Sequence, residues 1–330
     1  MKPRVAAALA ILYLVWGSTF LAVAVSDRTL PPLLMLAARF LLAGALLFAW
    51  SARRGHVRAA RLGRREWTAA AVVGGLLLFV NGGGVAWAEQ RVASGLTALL
   101  VASVPLFTAV IDRTVFGVRM SAGTLAGIAV GLLGVAFLVG PSAHIDPVGA
   151  AVILGGALAW AVGSAYARVA PLPPQPILSA AMQMLCAGAL LAVGGVVLGE
   201  PADVHPGAIS AASVGALGYL VAFGSIVAFT SYGWLLRSGA SSVVVSTYAY
   251  VNPAVAVALG WALAGEHVGG HEVAAGAVIL ASVGMLLAAR RPQGAEPGAA
   301  TPSHVPGGEA RPSELPSVAP ALSDLRRVAA

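Results

Sequence analysis

The chain has 330 residues, of which 58% are hydrophobic and only 10% are charged. A soluble globular protein carries about 25% charged residues, so this composition excludes a water-facing surface over most of the chain and predicts a protein embedded in lipid. The net charge of +7 does not indicate nucleic-acid binding, because the basic residues are concentrated in particular connections between apolar segments. The single cysteine, Cys186, excludes a disulfide framework and a cysteine-rich metal site.

Apolar segments of about 20 residues recur along the chain, and this is the length that an α-helix needs to cross the hydrocarbon core. They are too long for the alternating strands of a membrane barrel, which have about ten residues. The first segment is also too long for a signal peptide, whose apolar run has about 7–15 residues. We therefore predict an all-α integral membrane protein with ten transmembrane helices. In chain order they are 5–25, 33–50, 68–88, 93–112, 121–139, 148–167, 177–198, 209–234, 242–262 and 272–289.

The distribution of charge predicts how these helices are oriented. If the N-terminus is cytoplasmic, most lysines and arginines fall in the inner connections, and the outer connections contain only Arg28 and Arg91. Most acidic residues of the connections fall outside. Because cytoplasmic loops are enriched in basic residues, we expect both termini in the cytoplasm, an N-in/C-in topology.

The second half of the chain repeats the pattern of the first. Ser94 and Pro105 have counterparts in Ser242 and Pro253 at one offset of 148 residues (242 − 94 and 253 − 105). Five predicted spans precede the central loop and five follow it, and an odd number inserts the second copy upside down. Such inverted repeats are the usual build of secondary transporters.

This pattern gives three predicted regions. The first repeat covers 5–139 and the second, inverted, repeat covers 148–289. The segment 290–330 is rich in Pro, Ala, Gly, Ser and Glu without a sustained apolar stripe, so we expect a disordered cytoplasmic tail.

Several short motifs resemble the EamA family of the drug/metabolite transporter (DMT) superfamily. Those motifs are Leu14-Val15-Trp16-Gly17-Ser18-Thr19-Phe20, Pro31-Pro32, Ala38-Arg39-Phe40, Asn252-Pro253 and Gly265-Glu266. The stretch from Trp87-Ala88-Glu89 to Val104-Pro105-Leu106-Phe107 resembles the YedA-like branch of that family. The resemblance implies a bacterial inner-membrane permease, often an exporter of amino acids or related metabolites, that works by alternating access. The family often has Gly-Glu after the fourth span, where this chain has Gly117-Val118, so the acidic residue remains only as Glu266.

Polar and amphipathic side chains inside the predicted spans are candidates for a substrate site. A buried indole, hydroxyl or amide in lipid needs a partner, and inverted-repeat transporters bind their substrates near the midplane between the repeats. Ordinary interhelical hydrogen bonding is the alternative explanation. We predict a central cavity, suited to neutral or zwitterionic solutes, lined by Trp16, Ser18, Asn81, Thr97, Trp160, Ser164, Tyr219, Tyr248 and Asn252.

Two further groups are candidates for moving parts. Pro105 and Pro253 lie in the middle of predicted spans four and nine, where each is expected to kink its helix and act as a hinge. Arg39, Glu89 and Glu266 are candidates for a gate or an ion pair, with Arg39 pairing to Asp27 or Glu89 or having a structural role.

The predicted function is an inner-membrane secondary transporter, an exporter of amino acids or related small metabolites. A lipophilic-drug exporter and a metabolite importer are the alternatives among transporters.

The sequence has no HExxH, Walker or nucleophile-elbow motif, so we do not expect an enzyme. A sensory or scaffold role is disfavoured because the duplicated body and small tail leave no sizeable soluble output domain. We expect a small-molecule substrate and the lipid bilayer as partners, with no cofactor, no metal and no nucleic acid. Transport direction, proton coupling and oligomeric state stay open at this stage.

Overall fold

The computed structural model describes residues 3–60, 62–92, 97, 100–139, 146–264 and 269–289. Within these ranges the chain is entirely helical, with no strand, which confirms the predicted all-α class. Ser94, Gly265, Glu266 and the predicted tail at 290–330 lie outside the described residues.

Six helical stretches are long and apolar enough to cross a membrane, and they coincide with predicted spans one, two, three, six, seven and eight. They are α1 (Pro3–Ser26), α2 (Pro32–Arg53), α3 (Arg64–Glu89), α6 (Pro147–Ala167), α7 (Pro176–Val197) and α8 (Ala211–Arg237). The shorter helices are α4 (Val104–Thr114), α5 (Ala122–Val139), α9 (Tyr248–Ala264) and α10 (Gly270–Ala288).

Predicted spans four and nine are not continuous helices. A turn at residues 102–103 precedes α4, and a one-turn helix at Ser242–Val245 is separated from α9 by a turn at residues 246–247. The hydroxyls of Ser103, Ser246 and Thr247 each donate to the carbonyl oxygen three residues earlier, at 2.6–2.9 Å. These bonds satisfy polar groups locally, so the interruptions do not require water.

Three of the long helices change pitch near the middle. Leu12–Trp16 in α1, Gly75–Gly83 in α3 and Leu220–Phe229 in α8 form π-helical turns. Such turns are rare and frequently occur at functional sites. Here they place Trp16 and Asn81 on widened helical segments.

Local sequence explains where several helices begin. Pro32, Pro147 and Pro176 lie in the first turns of α2, α6 and α7, where the missing N–H costs nothing and the fixed φ suits the helix. At the start of α6, the Asp146 carboxylate accepts from Gly149 N at 2.9 Å. The Ser210 hydroxyl accepts from Ser213 N at 3.0 Å and caps α8 in the same way.

The packing of the helices maps onto itself when the two halves of the chain are exchanged. Helix α2 packs against α7, and α5 packs against α10. Helix α3 contacts α6 and α7, while its counterpart α8 contacts α1 and α2. Helix α4 contacts α6, and α9 correspondingly contacts α1. Each of these contacts between the halves thus has an equivalent, as a two-fold relation requires.

Residue contacts between α2 and α7 are reciprocal in the same way. A Cβ added to Gly44 would lie 3.0 Å from Leu185 N, and one added to Gly188 would lie 3.0 Å from Leu41 N. Both pairs are related by an offset of 144 residues (188 − 44 and 185 − 41). The two glycines therefore allow the backbones to approach closely across the two-fold relation.

Polar contacts divide the helix ends between two faces. At one end, Arg168 bonds to Asp112, and Arg237 donates to the Pro173 and Pro174 carbonyls at 2.9 and 3.1 Å. These contacts group the ends of α4, α6 and α8 with the start of α7, and we call this end the basic face.

The opposite end is defined by a second set of contacts. The Glu200 carboxylate accepts from Leu33 N at 3.0 Å, and the Thr29 hydroxyl donates to Ser213 Oγ at 2.8 Å. These bonds group the end of α1, the start of α2, the end of α7 and the start of α8. We call this end the acidic face, after Asp27, Glu89, Glu200 and Asp203.

Candidate transport site between the two halves

Four aromatic side chains from four helices meet between the halves, and we call them the aromatic core: Trp16, Trp160, Tyr232 and Tyr248. The Trp16 ring centroid lies 5.6 Å from that of Trp160 and 4.8 Å from that of Tyr248, with interplanar angles of 81° and 78°. Such edge-to-face geometry is favourable for aromatic pairs. Trp16 and Trp160 are related by the same offset of 144 residues (160 − 16) that relates α2 to α7.

A directed chain of hydrogen bonds fixes one side of the aromatic core. Trp160 Nε1 donates to Tyr232 OH at 2.8 Å. Ser164 Oγ donates to Trp160 O at 2.6 Å and lies 2.6 Å from Tyr232 OH. Because the single hydroxyl hydrogen of Ser164 is used on Trp160 O, Tyr232 must donate to Ser164. Tyr232 thus accepts from the indole and donates to the serine, which orients both rings.

Tyr232 was not among the residues predicted from the sequence. It lies two residues before the predicted end of span eight, where tyrosine is typical of a membrane interface. Because α8 extends to Arg237, Tyr232 lies deeper than the sequence indicated.

Trp16 is bound differently from Trp160, although the two occupy equivalent positions. Trp16 Nε1 donates to Gly224 O at 3.1 Å, within the π-helical part of α8. The two indoles therefore bind to the same helix, α8, rather than to symmetry-related helices. The site is asymmetric even though the scaffold is built from two similar halves.

A second polar pair lies beside Trp16. Ser18 Oγ donates to Val15 O at 2.7 Å and lies 2.5 Å from Tyr219 OH, so the tyrosine donates to the serine. The Tyr219 ring stacks on Phe223 at 5.1 Å. The predicted residues Ser18 and Tyr219 therefore contact each other directly.

The remaining predicted site residues are buried polar groups. Asn81 Oδ1, Thr97 Oγ1 and Asn252 Oδ1 are buried and have no hydrogen-bond partner in the part of the chain described. A Cβ at Gly156 would lie 3.2 Å from Asn81 Oδ1, which places this amide on the α3–α6 contact. A buried polar atom without a partner is costly, so these atoms are suited to receive a hydrogen bond from a bound solute.

An ion pair lies between the aromatic core and the basic face. Arg168 Nη2 lies 2.6 Å from Asp112 Oδ1, and Arg168 Nη1 donates to Ser242 Oγ at 2.5 Å. The guanidinium also lies 4.0 Å from the centroid of the Phe116 ring. The Asp112 side chain is only 7% exposed. The pair joins α4 of the first half to α6 and the start of the interrupted span nine of the second half.

A narrow cavity connects this ion pair to the aromatic core. It has room for about one water molecule, and Asp112, Arg168, Ser164, Tyr232 and Ser246 contribute to its lining. Tyr232 of the aromatic core and its hydrogen-bond partner Ser164 therefore also line the cavity on the side of the basic face. In the sequence, Asp112 is the last residue of predicted span four, a position at which a carboxylate is ordinarily solvated.

Arg39 lies on α2 beside the aromatic core. Its side chain is 91% buried, and Nε donates to Ser225 Oγ at 2.8 Å. The expected ion pair with Asp27 or Glu89 is not formed, and no carboxylate of the described residues lies within 4.0 Å of the guanidinium. A charged side chain at the centre of a membrane helix costs about 2.5–3.5 kcal/mol.

Two carboxylates near Arg39 in the sequence-based prediction or in the fold, Glu200 and Asp27, do not pair with it. Glu200 accepts from Leu33 N and from Leu34 N, at 3.0 and 2.8 Å, and caps α2. Asp27 is exposed at the end of α1, where partial desolvation and, to a smaller extent, the charge of Glu200 raise its pKa to about 6. A neighbouring guanidinium would lower this pKa, so Arg39 does not neutralise Asp27.

The two candidate hinge prolines have different surroundings. Pro105 lies in the first turn of α4, where it starts a helix after the turn at residues 102–103 instead of kinking one. Pro253 lies inside α9, where it removes one backbone hydrogen bond, and its action as a hinge stays a prediction. In both copies the chain is interrupted or weakened near the site.

Paired halves, interrupted helices and a buried amphipathic site between them define a membrane transporter. The described residues contain no group of three or more His, Cys, Asp or Glu side chains able to hold a metal ion. The model of the EamA-like transporter family matches residues 4–140 and again residues 147–288. The chain belongs to this family and is a membrane transporter, not an enzyme.

Curated relatives agree with this assignment. The chain is 40% identical to the uncharacterized inner membrane transporter YedA of Escherichia coli K12 over 279 residues, which cover 84% of this chain and 88% of that protein. It is 28% identical over 155 residues to a probable amino-acid metabolite efflux pump of the same organism, covering 46% and 49% of the two chains. The protein is thus a multi-pass protein of the bacterial inner membrane.

A solved crystal structure supports the fold. It superposes with a TM-score of 0.73 at 21% identity, and the match covers 88% of this chain and all of that chain.

Proposed function

We propose that the protein is a secondary transporter that exports amino acids or related small neutral or zwitterionic metabolites by alternating access. The observation that carries this proposal is the aromatic core between the halves, sealed at one end by the ion pair of Arg168 and Asp112. An aromatic wall with a few polar groups suits a small amphipathic solute. The similarity to a probable amino-acid metabolite efflux pump favours this substrate class.

We further propose a topology of ten transmembrane helices, arranged as two inverted five-helix repeats, 5–139 and 148–289, with an N-in/C-in orientation. The reciprocal packing of α2 with α7 and the two family matches support the repeat. The arginines of the basic face support its cytoplasmic location.

Cysteine labelling tests this topology. With Cys186 replaced by alanine, a cysteine at Ala143→Cys should react from the periplasm, and one at Arg58→Cys should react from the cytoplasm. The opposite pattern would overturn the orientation.

In the proposed mechanism, the ion pair of Arg168 and Asp112 keeps the basic face closed while solute exchanges with the acidic face. Opening of the basic face requires that this pair separates and that α4 moves away from α6. The turns at residues 102–103 and 246–247, with Pro105 and Pro253, provide the places where α4 and α9 can bend. Glu89 remains a candidate gate residue at the acidic face, and Glu266, which lies outside the described residues, remains a candidate from the sequence.

Efflux from cells loaded with single amino acids tests the function. The panel should contain all twenty amino acids, with and without a protonophore, in cells lacking or expressing the protein. Faster loss of at least one amino acid upon expression is expected, with little effect of the protonophore, because no histidine or carboxylate contributes to the aromatic core. Loss of efflux upon protonophore addition would show proton coupling instead. If no amino acid leaves faster, the substrate class is wrong, and lipophilic drugs and import are the next assays.

A further inference from the structure

Arg39 is a buried cation, and the N–H groups of its two terminal nitrogens, Nη1 and Nη2, donate to no described residue. Of the five N–H donors of a guanidinium, only Nε has a partner in the described structure, Ser225 Oγ. Nη1 and Nη2 donate a hydrogen bond to no described residue, and the guanidinium carbon otherwise lies 5.0 Å from the centroid of the Phe40 ring, although the residue is only 9% exposed. A structural arginine in a membrane protein normally pairs with a carboxylate or with backbone carbonyls, whereas the described contacts of Arg39 are a serine hydroxyl and the Phe40 ring.

The nearest carboxylates do not explain this arrangement. Both oxygens of Glu200 are occupied by the backbone N–H groups of Leu33 and Leu34 at the start of α2. Asp27 and Glu89 lie farther than 4.0 Å from the guanidinium. The charge therefore lacks a counterion within the described part of the chain.

The structure holds this guanidinium beside the aromatic core. A Cβ at Gly224 would lie 2.7 Å from Arg39 Nη2 and 3.0 Å from Thr19 Cγ2. The carbonyl of the same Gly224 accepts from Trp16 Nε1. One glycine of α8 is thus contacted by Arg39 on one side and bonded to the aromatic core on the other. Any larger residue at this position would displace the guanidinium.

We propose that Arg39 binds the carboxylate group of the transported solute. This inference rests on the transporter function proposed above and narrows it to solutes that carry one carboxylate, such as amino acids and small monocarboxylic acids. A guanidinium binds carboxylates with two parallel, charge-assisted hydrogen bonds, and Arg39 has the free N–H groups to do so. The carboxylate also supplies the missing counterion, so substrate binding removes the cost of the buried charge. The aromatic core then contacts the apolar part of the solute.

Binding measurements on the purified full-length protein test the proposal without requiring transport. The thermal midpoint is measured with L-leucine, L-leucinamide, butyrate, butyramide and inorganic phosphate, at matched ionic strength. We expect leucine or butyrate to raise the midpoint more than its amide does. If neither acid stabilises the wild-type protein more than its amide, the proposal is wrong. If phosphate alone stabilises it, Arg39 binds a phosphate group instead of a carboxylate, which also overturns the proposal.

Variants of Arg39 assign the effect to this residue. Arg39→Gln should remove the difference between acid and amide, and Arg39→Lys should weaken affinity for the acid by about tenfold, because an ammonium lacks the fork geometry. Arg237→Gln is the matched control, since Arg237 bonds only to loop carbonyls at the basic face, and should keep the difference. A full acid-specific shift in Arg39→Gln would overturn the proposal. If Arg39→Gln does not fold, undiminished affinity for the acid in Arg39→Lys would overturn it instead.

Transport in proteoliposomes tests the carboxylate-binding role of Arg39 separately from the proposed transport function. Arg39→Gln should reduce leucine counterflow more than leucinamide counterflow, whereas a purely structural defect would reduce both equally. No counterflow of any solute by a wild-type protein that binds leucine would contradict the transport function and leave the carboxylate assignment intact. Counterflow with the same leucine-to-leucinamide ratio in both proteins would contradict the carboxylate assignment alone.

Discussion

The two ends of the candidate site each contain an arginine, and the two arginines differ in their contacts. At the basic face, Arg168 and Asp112 come from different halves of the chain and form a direct ion pair that Ser242 supports. Toward the acidic face, Arg39 is more deeply buried, yet its only described contacts are a hydrogen bond to a serine and the face of the Phe40 ring. The same residue type therefore serves as a link between the halves at one end and as an unpaired cation at the other.

This difference in contacts suits the two arginines to different roles. A buried ion pair is weak evidence for stability, because desolvation offsets the attraction, but removing one partner is costly. Such a pair is suited to hold two parts together in one state and to release them in another. An unpaired buried cation stabilises nothing by itself and is suited to receive an anion. Within the proposed function, we therefore expect closure at the basic face and solute binding in the region of Arg39.

The largest effect is expected from breaking the ion pair. Arg168→Ala or Asp112→Ala leaves a buried charge without its partner, which costs about 2–5 kcal/mol in comparable pairs. We expect transport in proteoliposomes to fall by about tenfold or more. Exchange of the two charges, Asp112→Arg with Arg168→Asp, should recover part of the activity. Near-normal transport in either single variant would show that the pair is not a gate.

The aromatic core is expected to give the next largest effect. Trp16→Ala and Tyr248→Ala remove rings that contact each other at 4.8 Å, so transport should fall by about fivefold to tenfold, as for a lost core contact. Membrane insertion should be unchanged, which is checked by the amount of folded protein in the membrane. Trp50→Ala is the matched control, because Trp50 is 40% exposed at the end of α2. Normal transport in both core variants would remove them from the site.

A smaller effect is expected at Tyr232. Tyr232→Phe leaves Trp160 Nε1 and Ser164 Oγ without their shared partner, at a cost of about 1–3 kcal/mol for a buried unsatisfied group. We expect a lower thermal midpoint and a modest loss of transport. Tyr166→Phe should have little effect, because Tyr166 is only half-buried on α6 and takes no part in this hydrogen-bond chain. Equal midpoints for the two variants would contradict the hydrogen-bond chain.

The smallest effect is expected at the acidic face. The pKa of Asp27 is about 6 in the folded protein, above its ordinary value of 3.8, so the folded state binds this proton more tightly than the unfolded state. The carboxylate therefore disfavours the folded state at neutral pH, and stability should rise as the pH falls from 7.5 to 5. Asp27→Asn should raise the thermal midpoint slightly at pH 7.5 and flatten this dependence. A pH dependence that is identical in the variant would show that Asp27 does not contribute.

Much of the fold follows from the sequence, because a membrane helix is encoded by a local property. Apolar runs of sufficient length placed six spans within a few residues of their observed ends. Trp16, Trp160 and Tyr248 were predicted from the sequence to line a cavity, because an amphipathic ring deep in an apolar span needs a partner. The structure brings these rings together, and their role in binding stays a prediction.

Other features depend on contacts that composition does not encode. The interruptions at residues 102–103 and 246–247 leave the apolar pattern intact, because hydroxyls satisfy the freed groups locally. Arg168 and Asp112 are 56 residues apart, and each alone resembles a solvated helix end. Trp16 and Trp160 are 144 residues apart, the same offset that relates α2 to α7. This spacing in the sequence indicates that the two tryptophans occupy equivalent positions in the two halves.

The most direct test of the closed basic face is the reactivity of a cysteine placed behind it. With Cys186 replaced by alanine, Ser164→Cys is treated with a membrane-impermeant maleimide from the side of the basic face, with and without Asp112→Ala. We expect slow labelling while the ion pair is intact and labelling at least about tenfold faster when it is broken. Equal rates in the two proteins would contradict the account, because Arg168 and Asp112 would then not close the path to the aromatic core.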